Sequence, residues 1–192
     1  MFSRYLRPSL SLILAMTLLL GLVYPLIITG ISKVAFRSQA EGSLLKNGDT
    51  LIGSRLIGQN FSDPKYFWGR PSATSPQPYN GIASGGSNLG PLNPALIDKV
   101  TANAKALHDA DPSNEQPVPV ELVTASASGL DPDISPAAAR YQAGRVARAR
   151  KLPLAAVQSL IAEHERGLLL GILGEPTINV LELNIALDQQ HE

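Results

Sequence analysis

The chain has 192 residues, with 16 Lys and Arg balanced by 16 Asp and Glu, and it contains no cysteine. The lack of cysteine excludes disulfides, thiolate nucleophiles and thiolate metal sites. Because the first 41 residues hold four basic side chains and one acidic one, the rest of the chain carries 12 basic and 15 acidic residues. This acidic balance disfavours a nucleic-acid-binding protein, which needs a basic surface.

An apolar segment near the N-terminus predicts a transmembrane helix. Residues 8–32 contain no charged side chain, and about 20 apolar residues cross the hydrocarbon layer as a helix. A cleaved signal peptide with a cleavage site at residues 38–40 is the alternative. The segment exceeds the roughly 7 to 15 apolar residues of a signal peptide, and Lys33 and Arg37 follow it, so a retained anchor is favoured. The predicted membrane-spanning positions include Leu10, Leu14, Leu18, Gly21, Pro25 and Ile28.

The basic residues beside this segment predict its orientation. Arg4, Arg7 and the terminal amine precede it, whereas Lys33 and Arg37 follow it. Because basic residues favour the cytoplasmic side, the excess of one charge predicts a cytoplasmic N-terminus. The chain is therefore expected to consist of a cytoplasmic stub with its anchor helix, residues 1–38, and a soluble extracytoplasmic domain, residues 39–192.

The first part of the soluble domain predicts little regular structure. Residues 50–57 favour a short strand or one arm of a hairpin. Six prolines and five glycines lie between Phe61 and Pro94, and neither a long helix nor a central strand tolerates that density. We expect a long ordered loop here.

The second part alternates predicted helices and strands, which together indicate a single mixed α/β (α+β) domain. Residues with N-capping or helix-initiating character mark the start of each helix, and alternating apolar residues mark the strands. The predicted elements are a helix from Pro94, capped by Asn93, to Ala110, a strand with an edge proline at 118–123, a helix from Pro136, capped by Ser135, to Lys151, a helix from Pro153 to His164, and a strand leading into a short helix at 175–187.

Motifs for catalysis or metal binding are missing from the sequence. The three histidines are scattered, and neither HExxH nor GxSxG is present. We therefore predict no catalytic and no metal-binding residue. The helix from Pro136 carries its basic residues towards its C-terminal half, which favours a solvated face that complements the helix dipole. On the same helix, Gln142 lies among small residues and indicates an amide that is either buried and satisfied or in contact with a partner.

Two loop segments are candidates for binding. The Gly-rich segment SGGSN, residues 84–88, offers backbone amides of the kind that cradle an anion. It lacks the Lys of a phosphate-binding loop, so a plain turn is favoured. The segment YFWGRP, residues 66–71, contains the only Trp. Its aromatic side chains either hold the loop on its own core or anchor a partner interface.

Several longer motifs are familiar as a set. They are YFWGRPSAT at 66–74, SGGSNLGP at 84–91, VPVELVTASASGLDPDISPAAARYQ at 118–142, RVARAR at 145–150 and NVLELNIALD at 179–188. With the single N-terminal anchor, this order of motifs resembles the C subunit of the bacterial Kdp-type potassium-transporting ATPase. The resemblance covers nearly the whole chain.

The resemblance implies a non-catalytic accessory subunit of a complex in the bacterial inner membrane. The implied partners are a channel-like potassium-binding subunit, a P-type ATPase subunit and a small single-helix subunit. The family is described as a catalytic chaperone that raises the affinity of the ATPase subunit for ATP, so ATP at a shared site is the implied ligand, without a stably bound cofactor. The residues we expect at a nucleotide or partner contact are Ser84, Gly85, Gly86, Ser87, Asn88 and Gln142. The residues we expect at a partner interface are Tyr66, Phe67, Trp68 and Arg70.

The predicted orientation conflicts with direct contact to ATP. If the soluble domain lies outside the membrane, cytoplasmic ATP does not reach residues 84–88 or Gln142. The alternative is a domain that covers the outer mouth of the potassium-binding subunit as a cap or gate. An effect on ATP would then pass through the complex, which requires the domain to bind two pump states differently.

Overall fold

The computed structural model describes residues 2–190, which divide into two compact units with the boundary between Leu44 and Leu45. The first unit is helical. It contains α1 (Phe2–Leu18), a π-helical turn (Leu19–Val23), α2 (Tyr24–Ala35) and the short α3 (Arg37–Ala40). Within the described part of the chain, Arg4–Ala35 is the one helical stretch long and apolar enough to cross a membrane. At 1.5 Å per residue, its 32 residues span about 48 Å. The six predicted membrane-spanning positions all lie in this stretch and are exposed.

The π-helical turn ends two residues before Pro25, and the two are physically related. Proline has no N–H to donate, and its ring clashes with the carbonyl four residues earlier. The backbone N–H of Tyr24 donates to the carbonyl of Leu19, five residues back. A widened turn of this kind lets the helical path continue past a proline.

The second unit begins with a hairpin followed by a long loop, as predicted. Strands β1 (Leu44–Asn47) and β2 (Thr50–Ser54) pair across the two-residue turn of Gly48 and Asp49. Residues 55–93 contain no helix or strand. Short side chains order this loop instead: the Ser72 hydroxyl accepts from the backbone N–H of Tyr79 at 2.9 Å and donates to the carbonyl of Gly129 at 2.7 Å.

Helix α4 (Pro94–Ala110) confirms the predicted helix, and the Asn93 side chain accepts from the backbone N–H of Ala95 at 3.0 Å. The predicted strand at 118–123 is wrong, because this segment contains a 3₁₀ turn at Val120–Leu122. Val120 is 71% exposed, whereas Leu122 and Val123 are both buried. Two successive buried side chains do not fit the alternation of a strand. Pro119, which has no N–H to donate, precedes the turn.

Helices α5 (Pro136–Arg150), α6 (Leu154–His164) and α7 (Val180–Gln189) form the rest of the unit. The Ser135 hydroxyl caps α5 by accepting from the backbone N–H of Ala138, as predicted. Strand β3 (Asp133–Ile134) pairs antiparallel with β4 (Ile178–Asn179), which leads directly into α7. The predicted strand before the last helix is therefore confirmed, but it is only two residues long.

Helix α5 lies at the centre of the core and packs against α6, which in turn packs against α7. Its buried face includes four alanines, at positions 138, 139, 143 and 147, so neighbouring elements can approach it closely there. Burial of each large apolar side chain around it contributes about 1.5–3 kcal/mol. The largest fully buried apolar side chains are Phe67, Ile134, Val146, Val157, Ile161, Ile178, Leu183 and Leu187. The mixed helix and strand class predicted from the sequence is confirmed.

Candidate functional site

Two amide side chains hold consecutive residues of the aromatic loop, which we define as residues 64–71. Asn184 of α7 accepts from the backbone N–H of Phe67 at 2.8 Å and donates to its carbonyl at 2.9 Å. Gln142 of α5 does the same for Trp68, at 2.8 and 3.0 Å. Both amides are buried. They replace the ladder of hydrogen bonds that a strand would supply, so this irregular loop has a defined backbone.

Two arginines of α5 bind backbone carbonyls of the same loop. Arg145 donates to the carbonyl of Tyr66 at 3.0 Å and to Gln142 at 2.7 Å, and its guanidinium lies 4.4 Å from the centre of the Trp68 ring. Arg150 donates to the carbonyl of Lys65 at 2.7 Å and lies 4.8 Å from the centre of the Tyr66 ring. A loop without strand partners leaves its carbonyls open, and guanidinium groups fit them well.

The prediction of a solvated basic face on α5 is wrong for these two side chains. Arg145 is 4% exposed and Arg150 is 8% exposed, whereas the side chains of Arg140 and Arg148 are 60% and 58% exposed. Burial lowers the pKa of Arg145 to about 10, so it remains charged at neutral pH. A charge is retained in the interior only with such dense hydrogen bonding.

The four residues predicted at a partner interface have different surroundings. Phe67 is fully buried in the core, so its side chain packs within the chain. Tyr66 is half-buried and its hydroxyl donates to Asp188 at 3.0 Å, while the half-buried Trp68 donates from Nε1 to the carbonyl of Asp63 at 3.1 Å. Arg70 donates to Asp131 at 3.1 Å. Phe67 lies within the core and Trp68 packs against it, and the interface stays a prediction for Tyr66, Trp68 and Arg70.

A groove of about 260 Å³ lies between the aromatic loop and α4. Arg70 is at its wall, and its Nε atom is buried without a hydrogen-bond partner among the described residues. The Tyr79 hydroxyl donates to the carbonyl of Arg70, and burial, helped by the nearby carboxylate of Asp131, raises the pKa of Tyr79 to about 12. The lining combines aromatic, apolar and amide side chains, among them Phe61, Trp68, Tyr79, Asn103, Leu107 and Leu122. Across residues 2–190, no group of three or more His, Asp or Glu side chains is placed to hold a metal ion.

The Gly-rich turn packs against a second backbone segment of the same chain. The backbone N–H of Gly85 donates to the carbonyl of Ser128 at 2.8 Å, and the Ser84 hydroxyl donates to the same carbonyl at 3.1 Å. A Cβ atom on Gly86 would lie 2.9 Å from the carbonyl oxygen of Ala127. The glycine at position 86 is thus explained by close approach of two backbones.

The residues predicted for a nucleotide contact do not share one set of neighbours. Gln142 is fully buried, and its amide bonds to Trp68, Arg145 and the carbonyl of Ala138. The turn at 84–86 instead contacts residues 127–128. Ser87 lines a separate cavity of about 160 Å³ that Lys99 and Thr124 also line. Asn88 is exposed and has a left-handed backbone, with φ +51°.

The motifs that carry the resemblance meet around residues 125–131. Arg70 pairs with Asp131, Ser72 binds the carbonyl of Gly129, and Gly85 binds the carbonyl of Ser128. The sequence did not single out Asn184, which anchors the loop from α7. The sequence does contain a signal for it, an amide side chain between the apolar residues Leu183 and Ile185. An amide buried with such neighbours needs a defined hydrogen-bond partner.

Comparison with known proteins agrees with the resemblance. The family model described as K+-transporting ATPase, c chain, matches residues 6–189. Three proteins named potassium-transporting ATPase KdpC subunit are similar along almost their full length: that of Variovorax paradoxus (strain S110) is 64% identical, over 95% of this chain and 94% of the relative; that of Herminiimonas arsenicoxydans is 61% identical, over 97% and 98%; and that of Ralstonia nicotianae is 60% identical, over 95% and 89%. Since both the apolar segment and the folded unit are matched, the chain belongs to the KdpC family, the c chains of K+-transporting ATPases.

Proposed function

We propose that this chain is a non-catalytic subunit that stabilises a K+-transporting ATPase complex and raises the ATP affinity of its ATPase subunit without touching ATP. Membership of the family gives the accessory role in potassium transport. An indirect effect is supported by one observation: residues that were predicted to contact ATP already hydrogen-bond within the chain. The Gln142 amide is buried and bonded to Trp68, and the Gly85 amide is bonded to Ser128.

The proposed partners are a channel-like potassium-binding subunit, a P-type ATPase subunit and a small single-helix subunit in a bacterial inner membrane. The proposed orientation has the N-terminus in the cytoplasm and the folded unit in the periplasm. Its support is the apolar helix at Arg4–Ala35 together with the balance of basic residues on either side of it. A periplasmic unit and cytoplasmic ATP are on opposite sides of the membrane, which again favours an indirect effect.

An indirect effect has a defined thermodynamic requirement. The folded unit must bind the ATP-favouring state of the pump more tightly than the other states, because equal binding shifts no equilibrium. The aromatic loop supplies a surface suited to this. Its backbone is held by two buried amides and two buried arginines, so ordering it on binding has little entropic cost.

A second candidate function is a cap or gate over the outer mouth of the potassium-binding subunit, without nucleotide contact and acting mainly on the entry of potassium. Gly85 and Gln142 already hydrogen-bond within the chain, which favours this candidate over direct nucleotide contact. The two candidates differ in which affinity depends on the chain. The cap changes the dependence of transport on potassium, whereas the chaperone changes its dependence on ATP.

The deciding experiment compares ATPase activity of the purified complex with and without this chain, titrating ATP and potassium separately. We expect removal of the chain to raise the KM for ATP several-fold. A change in the KM for potassium alone would select the cap. Calorimetry of the full-length chain with ATP should give no heat, and measurable binding would instead establish direct contact. Unchanged KM values for both ligands would refute both candidates.

Orientation and the aromatic interface have their own tests. Because the chain has no cysteine, a single Lys105→Cys variant can be labelled from either side of intact membranes, and a periplasmic unit requires labelling from outside. Replacing Trp68 or Arg70 with Ala should weaken assembly while the isolated chain stays folded. Undiminished co-purification of both variants would contradict that interface.

A further inference from the structure

An ordered hairpin with an apolar tip projects between α6 and β4, and we call residues 166–177 the apolar hairpin. Backbone hydrogen bonds close it at two levels. Arg166 and Thr177 exchange bonds of 2.8 and 3.1 Å, and Leu169 and Leu173 exchange bonds of 2.8 and 3.0 Å. The tip therefore has a defined shape before any partner binds.

The tip is apolar and exposed over five side chains. No charged residue lies between Arg166 and Glu175. A contiguous run of this kind marks a contact surface more often than a solvated loop. The exposed fractions are 39% for Leu168, 68% for Leu169, 83% for Leu170, 77% for Ile172 and 54% for Leu173.

The backbone at the tip adds an independent observation. Leu170 has φ +56° and Gly171 has φ +78°. They are the two central residues of the β-turn that the Ile172 N–H closes on the Leu169 carbonyl; a turn with both φ values positive favours Asn or Gly at each position, and a leucine there is sterically disfavoured. The most exposed side chain of the tip is thus an apolar residue in a conformation that suits a polar one. Strain of this kind is typical of residues that serve a function.

The charges beside the tip indicate what covers it. Glu175 follows the tip and Glu163 precedes the hairpin by three residues; both are exposed and, among residues 2–190, neither makes a salt bridge that pairs it with a basic side chain. The run 167–174 contains no aromatic or basic residue. Loops that enter a lipid interface are typically rich in Trp, Tyr, Lys and Arg. Arg166, the basic residue at the base of the hairpin, is paired with Glu182, so the unpaired charges of the flank are acidic and favour a basic protein surface over anionic lipid.

We propose that the apolar hairpin inserts its tip, residues 168–173, into an apolar cleft with a basic rim on another protein subunit of the transporting complex. This inference rests on the proposed function, since it requires the chain to work within that complex. The tip is the apolar knob, and the carboxylates of Glu163 and Glu175 face the basic rim. Such a contact buries an apolar centre inside a polar surround, as protein interfaces do.

Labelling of an introduced cysteine tests the contact directly. In the full-length Leu170→Cys chain, we expect a water-soluble maleimide to react at least tenfold more slowly in the assembled complex than with the chain alone in the same detergent. The matched control is Lys105→Cys, at a side chain that is 72% exposed, for which we expect equal rates. A photo-crosslinker attached at position 170 should link to a protein subunit. Equal rates at position 170, or cross-linking to lipid alone, would overturn the proposal.

A Leu170→Asn variant separates docking from folding. Asn tolerates the left-handed backbone better than Leu, so the isolated chain should keep or raise its Tm, while its yield in the purified complex should fall several-fold. Val120→Thr, at another exposed apolar side chain (71%), should leave that yield unchanged. Full yield of Leu170→Asn would overturn the hairpin proposal. The proposed function would still stand in that case if removal of the whole chain altered the KM for ATP, so the two failures are distinguishable.

Discussion

Replacement of Gln142 by Leu should detach the aromatic loop from α5 and destabilise the folded unit. The substitution nearly conserves side-chain volume, so loss of packing is small. It removes the acceptor for the Trp68 N–H at 2.8 Å, the donor to the Trp68 carbonyl at 3.0 Å and the acceptor for Arg145 at 2.7 Å. Arg145 keeps its bonds to the carbonyls of Pro64 and Tyr66, whereas both backbone groups of Trp68 lose their side-chain partner.

The expected magnitude follows from these three contacts. Each backbone group of Trp68 left without a partner costs about 1–3 kcal/mol, and the charge-assisted bond to Arg145 contributes about 1.5–3 kcal/mol. Trp68 is only half-buried, so water satisfies part of the loss, and burying a leucine in place of an amide offsets about 1–2 kcal/mol. We expect a net destabilisation of about 3 kcal/mol.

Urea denaturation of the full-length chain in mild detergent, followed by tryptophan fluorescence, measures this value. Trp68 is the only tryptophan and lies in the loop itself, so its emission reports the affected region. With a slope of roughly 2 kcal/mol per molar urea, the midpoint should fall by about 1.5 M. Gln158→Leu is the matched control, because Gln158 is an exposed helical glutamine and should change stability by about 0.5 kcal/mol or less. Equal midpoints for the two variants would refute the role assigned to Gln142.

Three further predictions test the packing and charge of the same unit. Gly86→Ala should lower the free energy of unfolding by about 1–3 kcal/mol, since its Cβ would lie 2.9 Å from a backbone oxygen. The control Gly85→Ala should be tolerated, because nothing lies within 4 Å of its Cβ. Equal losses of stability for the two variants in urea denaturation would show that the turn does not pack this way. Arg150→Met should lower the free energy of unfolding by about 2–4 kcal/mol, because the carbonyls of Lys65 and Leu187 and the carboxylate of Asp188 lose their donor. Arg140→Met, at a side chain that is 60% exposed, should lower it by about 1 kcal/mol or less; a lower Tm for Arg140→Met than for Arg150→Met would contradict this order. For Tyr79, whose pKa is raised to about 12, the unfolded chain loses its phenolic proton at lower pH than the folded chain, so its contribution to stability should be complete below about pH 10 and fall as pH rises towards 12. Burial also raises the pKa of Tyr141, so the late-ionising part of the ultraviolet absorbance should be smaller in Tyr79→Phe than in the unaltered chain; equal late-ionising absorbance in both would contradict this.

Local signals in the sequence were sufficient for the elements with strong caps. Asn93 and Ser135 each precede a proline and mark the first turn of a helix, and both caps form as expected. The proline density of 61–94 likewise led to a loop, because a missing N–H prevents regular pairing wherever the chain folds. The strand predicted at residues 118–123 was wrong because apolar alternation in the sequence cannot distinguish a strand from a 3₁₀ turn that buries two successive side chains.

The sequence by itself determined the long apolar helix near the N-terminus, the number and order of the main helices and the family, since these depend on contiguous residues and their spacing. Only the tertiary structure decided which polar side chains are interior. Arg145 and Arg150 were predicted on a solvated face of α5, and Gln142 was predicted to be either buried or in contact with a partner. All three are buried, because the aromatic loop, about 75 to 85 residues away in the chain, brings its backbone carbonyls and amides against them. A side chain's environment is set by such distant partners, which local periodicity does not contain.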